Sequence, residues 1–210
     1  MEKVENIGII LGKQRDSNAY IIDDILIDPG SGENINYLVE SIEDSGMSMD
    51  DINKIVNTHC HFDHIGADKY LQDTYGYEIY MHPLDKQTVL SKDADATVAS
   101  SFGCEVPDLE IKDLNEDDMI GDFKVIHTPG HTHGGICLYD GENLISGDTL
   151  FSGGNFGRTD LPTGSIDDMK KSILKLSELD IDRLYPGHGA YAISAVREQI
   201  ELTVMIASRL

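Results

Sequence analysis

The feature that most restricts the fold of this chain is a dense group of side chains that typically bind metal. Three histidines and one aspartate lie within six residues, in the run HCHFDH at residues 59–64. The run follows an apolar, β-branched segment at residues 52–57, which predicts a buried strand. Imidazole nitrogens and carboxylate oxygens suit Zn²⁺, Fe²⁺ and Mn²⁺. The fold must therefore end this strand in a tight loop whose side chains converge on metal.

Two metal ions fit this run better than one. Neighbouring side chains of an extended loop diverge, and metal–ligand bonds are only about 2 Å long, so four adjacent ligands rarely reach a single ion. His59 and His61 are two residues apart and point to the same side of such a loop. Asp63 and His64 can then turn towards a second position. Two ions need further ligands from elsewhere in the chain.

Three later loops supply such ligands. Each ligand follows a predicted strand and lies beside a glycine: His131 after residues 123–127, Asp148 after residues 144–146 and His188 after residues 181–185. The glycines let the backbone turn sharply and approach an ion closely. The residues predicted to bind metal are therefore His59, His61, Asp63, His64, His131, Asp148 and His188.

The pattern of apolar residues along the chain predicts a mixed α/β protein. Further strands are predicted at residues 4–11, 19–22, 25–27, 78–81 and 136–139. Helices are predicted at residues 35–42, 65–75, 83–90, 165–179 and 193–209. Residues 91–118 are predicted to form surface loops and an edge strand. No linker or repeat interrupts residues 1–210, so we expect a single domain in which two sheets pack face to face with helices outside.

Five motifs together resemble those of the metallo-β-lactamase superfamily, and in particular of its glyoxalase II-like hydrolases. In chain order they are THCHFDH at 58–64, TPGHT at 128–132, SGDTLF at 146–151, GRTD at 157–160 and PGHG at 186–189. The resemblance implies a four-layer αββα sandwich of the α/β (α+β) class. It also implies a ligand set for each of two ions: His59, His61 and His131 on one, Asp63, His64 and His188 on the other, with Asp148 bridging them.

These ligands predict a metal-dependent hydrolase. We expect two divalent ions, Zn²⁺ first with Fe²⁺ or Mn²⁺ as alternatives. Such ions lower the pKa of bound water to about 7 and stabilise the oxyanion formed from a carbonyl group. A hydroxide held by the dinuclear site would then be the nucleophile. Asp63 is the candidate catalytic residue, because it can orient the attacking water or accept its proton. The resemblance implies a thioester substrate, an S-2-hydroxyacyl thiol.

The resemblance leaves a second function open. Persulfide dioxygenases of the same superfamily use a single Fe²⁺ held by the equivalents of His59, His131 and Asp148, and the GRTD motif is shared with them. The PGHG motif departs from the form expected in that branch. Glyoxalase II enzymes proper carry a basic C-terminal helical region that binds glutathione, whereas the last predicted helix here holds only Arg197 and Arg209. We therefore expect a single-domain hydrolase, and the sequence does not identify the thiol part of its thioester substrate.

Several other polar residues are predicted to have structural roles. Cys60 lies between two ligands, so in an extended loop it points away from them and packs as a core thiol. Three histidines are predicted not to bind metal: His82, His127 and His133. Of these, His133 lies two residues past His131 and is also a candidate to border the substrate cleft. Arg158 is predicted to form an ion pair with Asp160.

The charge of the chain restricts its partners. Its 38 acidic and 16 basic side chains give a formal net charge of −22. Nucleic acid is disfavoured, because phosphates recruit proteins chiefly through Lys and Arg. No apolar run is long enough for a membrane span, and the first residues lack the features of a signal peptide. The three cysteines have no CxxC spacing, which predicts neither disulfides nor a zinc knuckle. We expect a cytoplasmic enzyme with a small-molecule substrate; the sequence does not predict its oligomeric state.

Overall fold

The computed structural model describes residues 1–210, which divide into two compact units. The first unit comprises Met1–Met81 and Lys86–Asp113, and the second comprises His82–Asp85 and Leu114–Leu210. Each unit contains one β-sheet. The predicted mixed α/β class is confirmed. The expectation that residues 1–210 form a single domain stays a prediction.

One seven-stranded sheet forms the first unit, with its strands in chain order. They are β1 Glu2–Val4, β2 Ile7–Ile10, β3 Ala19–Ile22, β4 Ile25–Ile27, β5 Lys54–Val56, β6 Glu78–Met81 and β7 Ile111–Asp113. Strands β1 to β4 are antiparallel, and β4 to β7 are parallel. Parallel strands end at the same edge of a sheet, so the residues that follow β4 and β5 lie close together. That edge carries the HCHFDH run.

The helices between these strands are short. They are α1 Ile35–Glu43, α2 Phe62–Ile65, α3 Asp68–Tyr75, α4 Pro83–Leu90 and α5 Ala99–Phe102, with a single 3-10 turn at Met49–Asp51. Apolar residues of α1 at helical spacing, Leu38 and Ile42, are buried in one core with Leu26 and Ile55 of the sheet. This core anchors the strands that deliver the candidate ligands.

The second unit is built on a five-stranded sheet in the order β12-β11-β10-β9-β8. Its strands are β8 Met119–Ile120, β9 Phe123–His127, β10 Ile136–Tyr139, β11 Asn143–Gly147 and β12 Arg183–Pro186, and its helices are α6 Ile166–Ser177 and α7 Val196–Ala207. The side chain of Ser165 accepts a hydrogen bond from the Asp168 N–H, which confirms the predicted N-cap of α6. Met169 and Ile173 pack in the core beneath Leu144. No helix of the protein combines the length and hydropathy that a membrane span requires.

Two predicted elements were wrong, each because of a local backbone feature that periodicity does not reveal. The single strand predicted at residues 4–11 is the hairpin β1–β2, since Glu5 turns the chain with a φ of 54°. The helix predicted at residues 65–75 starts as α2 and breaks before α3. The break occurs because the Ala67 N–H donates to the Gly30 carbonyl, 2.9 Å away, instead of continuing the helix. The predicted edge strand within residues 91–118 is confirmed as β7.

Candidate metal centre

The HCHFDH run of the first unit is irregular at residues 59–61 and enters a helical turn at Phe62. His61 is the N-cap residue of α2, with φ −70° and ψ 144°. The turn brings His64 back beside His59, with ring centroids 4.0 Å apart, while the rings of His59 and His61 are 4.7 Å apart. All three histidines are buried. Nitrogens of His59 lie within 4.8 Å of nitrogens of both other rings, so the turn forms a compact group of donors.

Asp63 belongs to the same group. Its Oδ2 lies 3.9 Å from His64 Nε2, and its side chain retains 19% exposure, in contrast to the buried histidines. The Asp63 carbonyl accepts a hydrogen bond from the Ser17 N–H at 3.1 Å. The backbone of this residue is therefore held in place, while its carboxylate is the most accessible group of the turn.

Hydrogen bonds fix the protonation of two of these rings. His64 Nδ1 lies 2.9 Å from Asp28 Oδ2. The Thr58 hydroxyl donates to the same Asp28 oxygen at 2.7 Å, so its own oxygen accepts from His59 Nδ1 at 3.1 Å. Carboxylates and this hydroxyl can only accept here, so both Nδ1 atoms carry the proton. In the neutral form of each ring the lone pair is then on Nε2, which is the nitrogen that would bind a metal ion.

Asp28 is a site residue that the sequence alone did not identify. Its predicted position was merely the end of a strand, in the turn that closes β4. The structure buries its side chain and gives it three donors: His64 Nδ1, the Thr58 hydroxyl and the Thr58 N–H at 2.8 Å. The available signal was an acidic residue directly after a wholly apolar strand.

The second unit contributes its own group of three. His131 follows β9, Asp148 follows β11 and His188 follows β12, as predicted. Asp148 Oδ2 lies 3.4 Å from His131 Nε2 and 3.7 Å from His188 Nε2. Strands β11 and β12 are parallel neighbours, so Asp148 and His188 leave the sheet at one edge. The Asp148 carboxylate thus lies between the two imidazole nitrogens.

The position of His131 depends on backbone contacts. Its Nδ1 donates to the Arg158 carbonyl at 2.7 Å, which again leaves the lone pair on Nε2. The chain passes so close here that only glycine fits at position 157, where a Cβ would lie 2.1 Å from the Asp148 carbonyl oxygen and 2.9 Å from His131 Nδ1. The GRTD motif therefore supports the ligand through its backbone.

The remaining predictions concern side chains outside these two groups. Arg158 forms a two-pronged ion pair with Asp160, which confirms the predicted pairing and lowers the pKa of Asp160 to about 2. Cys60 is confirmed as a buried core thiol. His82 and His127 stack on each other, with ring centroids 4.1 Å apart and planes inclined by 7°. His127 Nε2 is also 3.0 Å from the carbonyl of His133.

Each unit therefore gathers only imidazole and carboxylate donors. Hydrogen bonds at Nδ1 direct Nε2 away from the support in two rings of the first unit, His59 and His64, and in one ring of the second, His131. This donor set suits Zn²⁺, Fe²⁺ or Mn²⁺ and contains no thiolate. Buried histidines held in this way are typical of metal ligands, whose second nitrogen almost always donates to a carboxylate, a carbonyl or water.

Comparisons with known proteins show which proteins this chain resembles. The chain is 41% identical over 185 residues to the probable metallo-hydrolase MJ0888 of Methanocaldococcus jannaschii, covering 82% of this chain and 87% of that protein. It is 34% identical over 178 residues to the hydroxyacylglutathione hydrolase GloC of Haemophilus influenzae, covering 79% and 80%. The crystal structure of TTHA1623 in a di-iron-bound form has a TM-score of 0.77 at 31% identity, covering 95% of this chain and 96% of that one.

These matches share the fold that the motifs imply. The family sequence model of the metallo-β-lactamase superfamily matches residues 12–188 of this chain, a range that includes all seven predicted ligands. Since that range is most of the chain, the protein belongs to the metallo-β-lactamase superfamily.

Proposed function

We propose that this member of a metallo-hydrolase superfamily hydrolyses a thioester, and that its substrate is an S-2-hydroxyacyl thiol. The relative GloC is named as a hydroxyacylglutathione hydrolase, a thioesterase of this kind, and matches four-fifths of its own length to this chain. The relative MJ0888, at higher identity, is named only as a probable metallo-hydrolase. The family therefore supports metal-dependent hydrolysis, and the thioester substrate is the proposal.

The proposed metal centre holds two divalent ions. Its ligands are the seven predicted residues: His59, His61, Asp63, His64, His131, Asp148 and His188. Zn²⁺ is the first choice because imidazole and carboxylate donors suit it, and the di-iron form of TTHA1623 makes Fe²⁺ the main alternative. When bound, the ions supply Lewis acidity that activates water and polarises a carbonyl oxygen.

The observation that carries this proposal is the common hydrogen-bonding pattern of three imidazoles. His59, His64 and His131 each donate from Nδ1, to Thr58, to Asp28 and to the Arg158 carbonyl respectively. Each ring therefore directs an unprotonated Nε2 away from its own support. An imidazole ligand needs one unprotonated nitrogen, and its other nitrogen almost always donates to a carboxylate, a carbonyl or a similar acceptor, as in these three rings.

Asp63 is the proposed catalytic residue. Its carboxylate is the accessible member of the first group, and the Ser17 N–H holds its backbone. We assign it two roles, to bind metal and to accept the proton of the attacking water. A carboxylate suits the second role because its two oxygens can divide the tasks.

The charge of the protein limits the size and charge of the substrate. Two divalent ions would offset only about four of the 22 net negative charges, so the surface stays acidic. A polyanion such as RNA would approach against this field. A small, neutral or weakly anionic thioester fits the surface better.

Metal analysis combined with a hydrolysis assay tests the proposal. Protein purified without added metal is analysed for zinc, iron and manganese, and then assayed on S-lactoyl thioesters of several thiols. We expect two ions per chain and thiol release that chelator abolishes. A protein with one iron that consumes oxygen on a persulfide would contradict the proposal and favour the persulfide dioxygenase alternative.

A further inference from the structure

We propose that Asp85 is a positioning residue for the metal centre, which it serves by anchoring the loop that presents His131. The inference rests on the proposed metal site and adds a residue that is not a ligand. Asp85 lies in the first turn of α4, some 46 residues before His131 in the chain, and belongs to the same unit. Its side chain is completely buried.

Both carboxylate oxygens of Asp85 bind the loop at residues 128–135. Oδ2 accepts from the Thr132 hydroxyl at 2.7 Å, and Oδ1 accepts from the Gly134 N–H at 2.7 Å. Thr132 directly follows His131, and Gly134 lies two residues further on. The Asp85 carboxylate therefore holds the loop by two hydrogen bonds, both to residues that closely follow the proposed ligand His131.

The loop is shaped to receive this carboxylate. At Gly134, a Cβ would lie 2.5 Å from both the backbone nitrogen and Oδ1 of Asp85, so only glycine permits the approach. Within the loop, the Gly130 N–H donates to the Thr132 carbonyl at 2.9 Å, and the Thr128 N–H donates to the Gly135 carbonyl at 2.8 Å. The loop is thus closed on itself by backbone hydrogen bonds and is held to Asp85.

The chemistry of the anchor requires an aspartate. A buried carboxylate is costly unless it accepts strong hydrogen bonds, and Asp85 accepts them from the Thr132 hydroxyl and the Gly134 N–H, while His133 Nε2 lies 4.0 Å from its Oδ1. Asparagine offers one acceptor oxygen and places an NH₂ group against the second donor. The position of Asp85 in the first helical turn also favours negative charge. With the Arg158 carbonyl fixing Nδ1 on the other side, the anchor defines the direction in which His131 Nε2 points.

Zinc affinity of the metal-stripped protein, measured by competition with a chelator, tests this role. We expect Asp85→Asn to lower the affinity for one of the two ions, the one that His131 binds, by about 10- to 100-fold. This is the usual effect of losing a group that supports a ligand. Thr132→Val should lower the affinity for the same ion. Thr132→Ser keeps the hydroxyl, so this variant should bind zinc with the affinity of the parent protein. Because the two substitutions remove one contact, the effect of Asp85→Asn with Thr132→Val should be smaller than the product of the single effects.

A neighbouring residue provides the control. Lys86 follows Asp85 in α4, but its ammonium group pairs with Asp113, 2.7 Å away. Lys86→Gln also changes the charge of α4 by one unit and should leave both zinc affinities unchanged. Thermal unfolding of each metal-free variant separates lost affinity from lost folding. If Asp85→Asn does not fold, Thr132→Val and Thr132→Ser decide the question alone.

The outcomes distinguish this inference from the proposed function. Parent protein that binds no metal would overturn the metal centre itself, and the positioning role with it. Parent protein with two tight ions, together with unchanged affinities in Asp85→Asn or in Thr132→Val, would overturn only the role of Asp85. Equal weakening of both ions would also overturn it, since the anchor supports one ligand.

Discussion

His64 Nδ1 lies 2.9 Å from Asp28 Oδ2, and both side chains are buried. Asp28 follows β4 and His64 follows β5, so the parallel pairing of these strands places a carboxylate behind an imidazole that is 36 residues away. The contact orients the ring and fixes its proton on Nδ1. Support for the proposed ligand thus comes from the sheet itself.

The first test is to remove this support. We expect Asp28→Asn to lower zinc affinity by about 10- to 100-fold, because the amide cannot accept from His64 and from both groups of Thr58 at once. Chelator competition measures the effect. Asp24→Asn is the control, since this residue pairs with Lys54 at the partly exposed end of the same hairpin. Equal zinc affinity in the two variants would show that Asp28 does not support a ligand.

The second test concerns the carboxylate of the second unit. Asp148 lies between His131 and His188, and we propose that it bridges the two ions. Asp148→Ala should therefore lose both bound metal and hydrolysis, as measured by elemental analysis and thiol release. Two metals retained in full would refute the bridging assignment.

Arg158→Ala separates the backbone of the GRTD motif from its side chain. The Arg158 carbonyl holds His131, whereas the guanidinium binds only the exposed Asp160. Exposed ion pairs contribute little to stability. We expect zinc content and melting temperature to match those of the parent protein; a loss of zinc would assign the side chain a role in the site.

The third test uses pH. Burial raises the pKa of the Asp68 carboxyl well above its usual range, against the lowering effect of the Asn57 hydrogen bond. Unfolded aspartate titrates near pH 3.9, so above that pH the native state holds a proton that the unfolded state has lost. The free energy of unfolding therefore falls as pH rises, by at most about 1.4 kcal/mol per unit, until the folded pKa is passed.

Asp68→Asn removes this titration. We expect the stability of the variant relative to the parent protein to increase as pH rises from about 4 towards neutrality, as measured by urea unfolding of both proteins at each pH. The comparison cancels the titration of all other groups. A difference that does not change with pH would show that Asp68 is charged in the native state.

The fourth test counts reactive thiols. Cys104 is exposed, while Cys60 and Cys137 are buried, and burial raises the pKa of the Cys137 thiol to about 11. Since the thiolate is the reactive form, the native protein should react rapidly at one thiol and the denatured protein at three. Cys104→Ser should show no rapid reaction. More than one rapid thiol in the native parent protein would mean that the core around Cys60 or Cys137 opens.

Local patterns in the sequence were enough to predict much of the fold. Strands β3, β4 and β6 begin and end at the predicted residues, because short β-branched runs between turn residues define them. The N-cap of α6 was likewise predicted from Ser165. All seven proposed ligands lie at strand ends or in the turn after β5, as the motifs indicated.

The hydrogen bonds that support those ligands could not be predicted from the sequence, because they join residues that are distant in the chain. Asp28 and Asp85 act on residues 30 or more positions away, and neither lies in a motif. The break between α2 and α3 likewise follows from the carbonyl of Gly30, which no helical periodicity reveals. Sequence patterns identify the chemistry of the site, whereas tertiary pairing determines how it is held.

One titration tests the central claim most directly. Metal-stripped protein is titrated with zinc while hydrolysis of an S-lactoyl thioester is followed by thiol release. We expect no activity without metal and a rate that rises to a plateau at two zinc ions per chain. A protein that binds two ions and releases no thiol from any S-2-hydroxyacyl thioester would contradict the proposed thioesterase function.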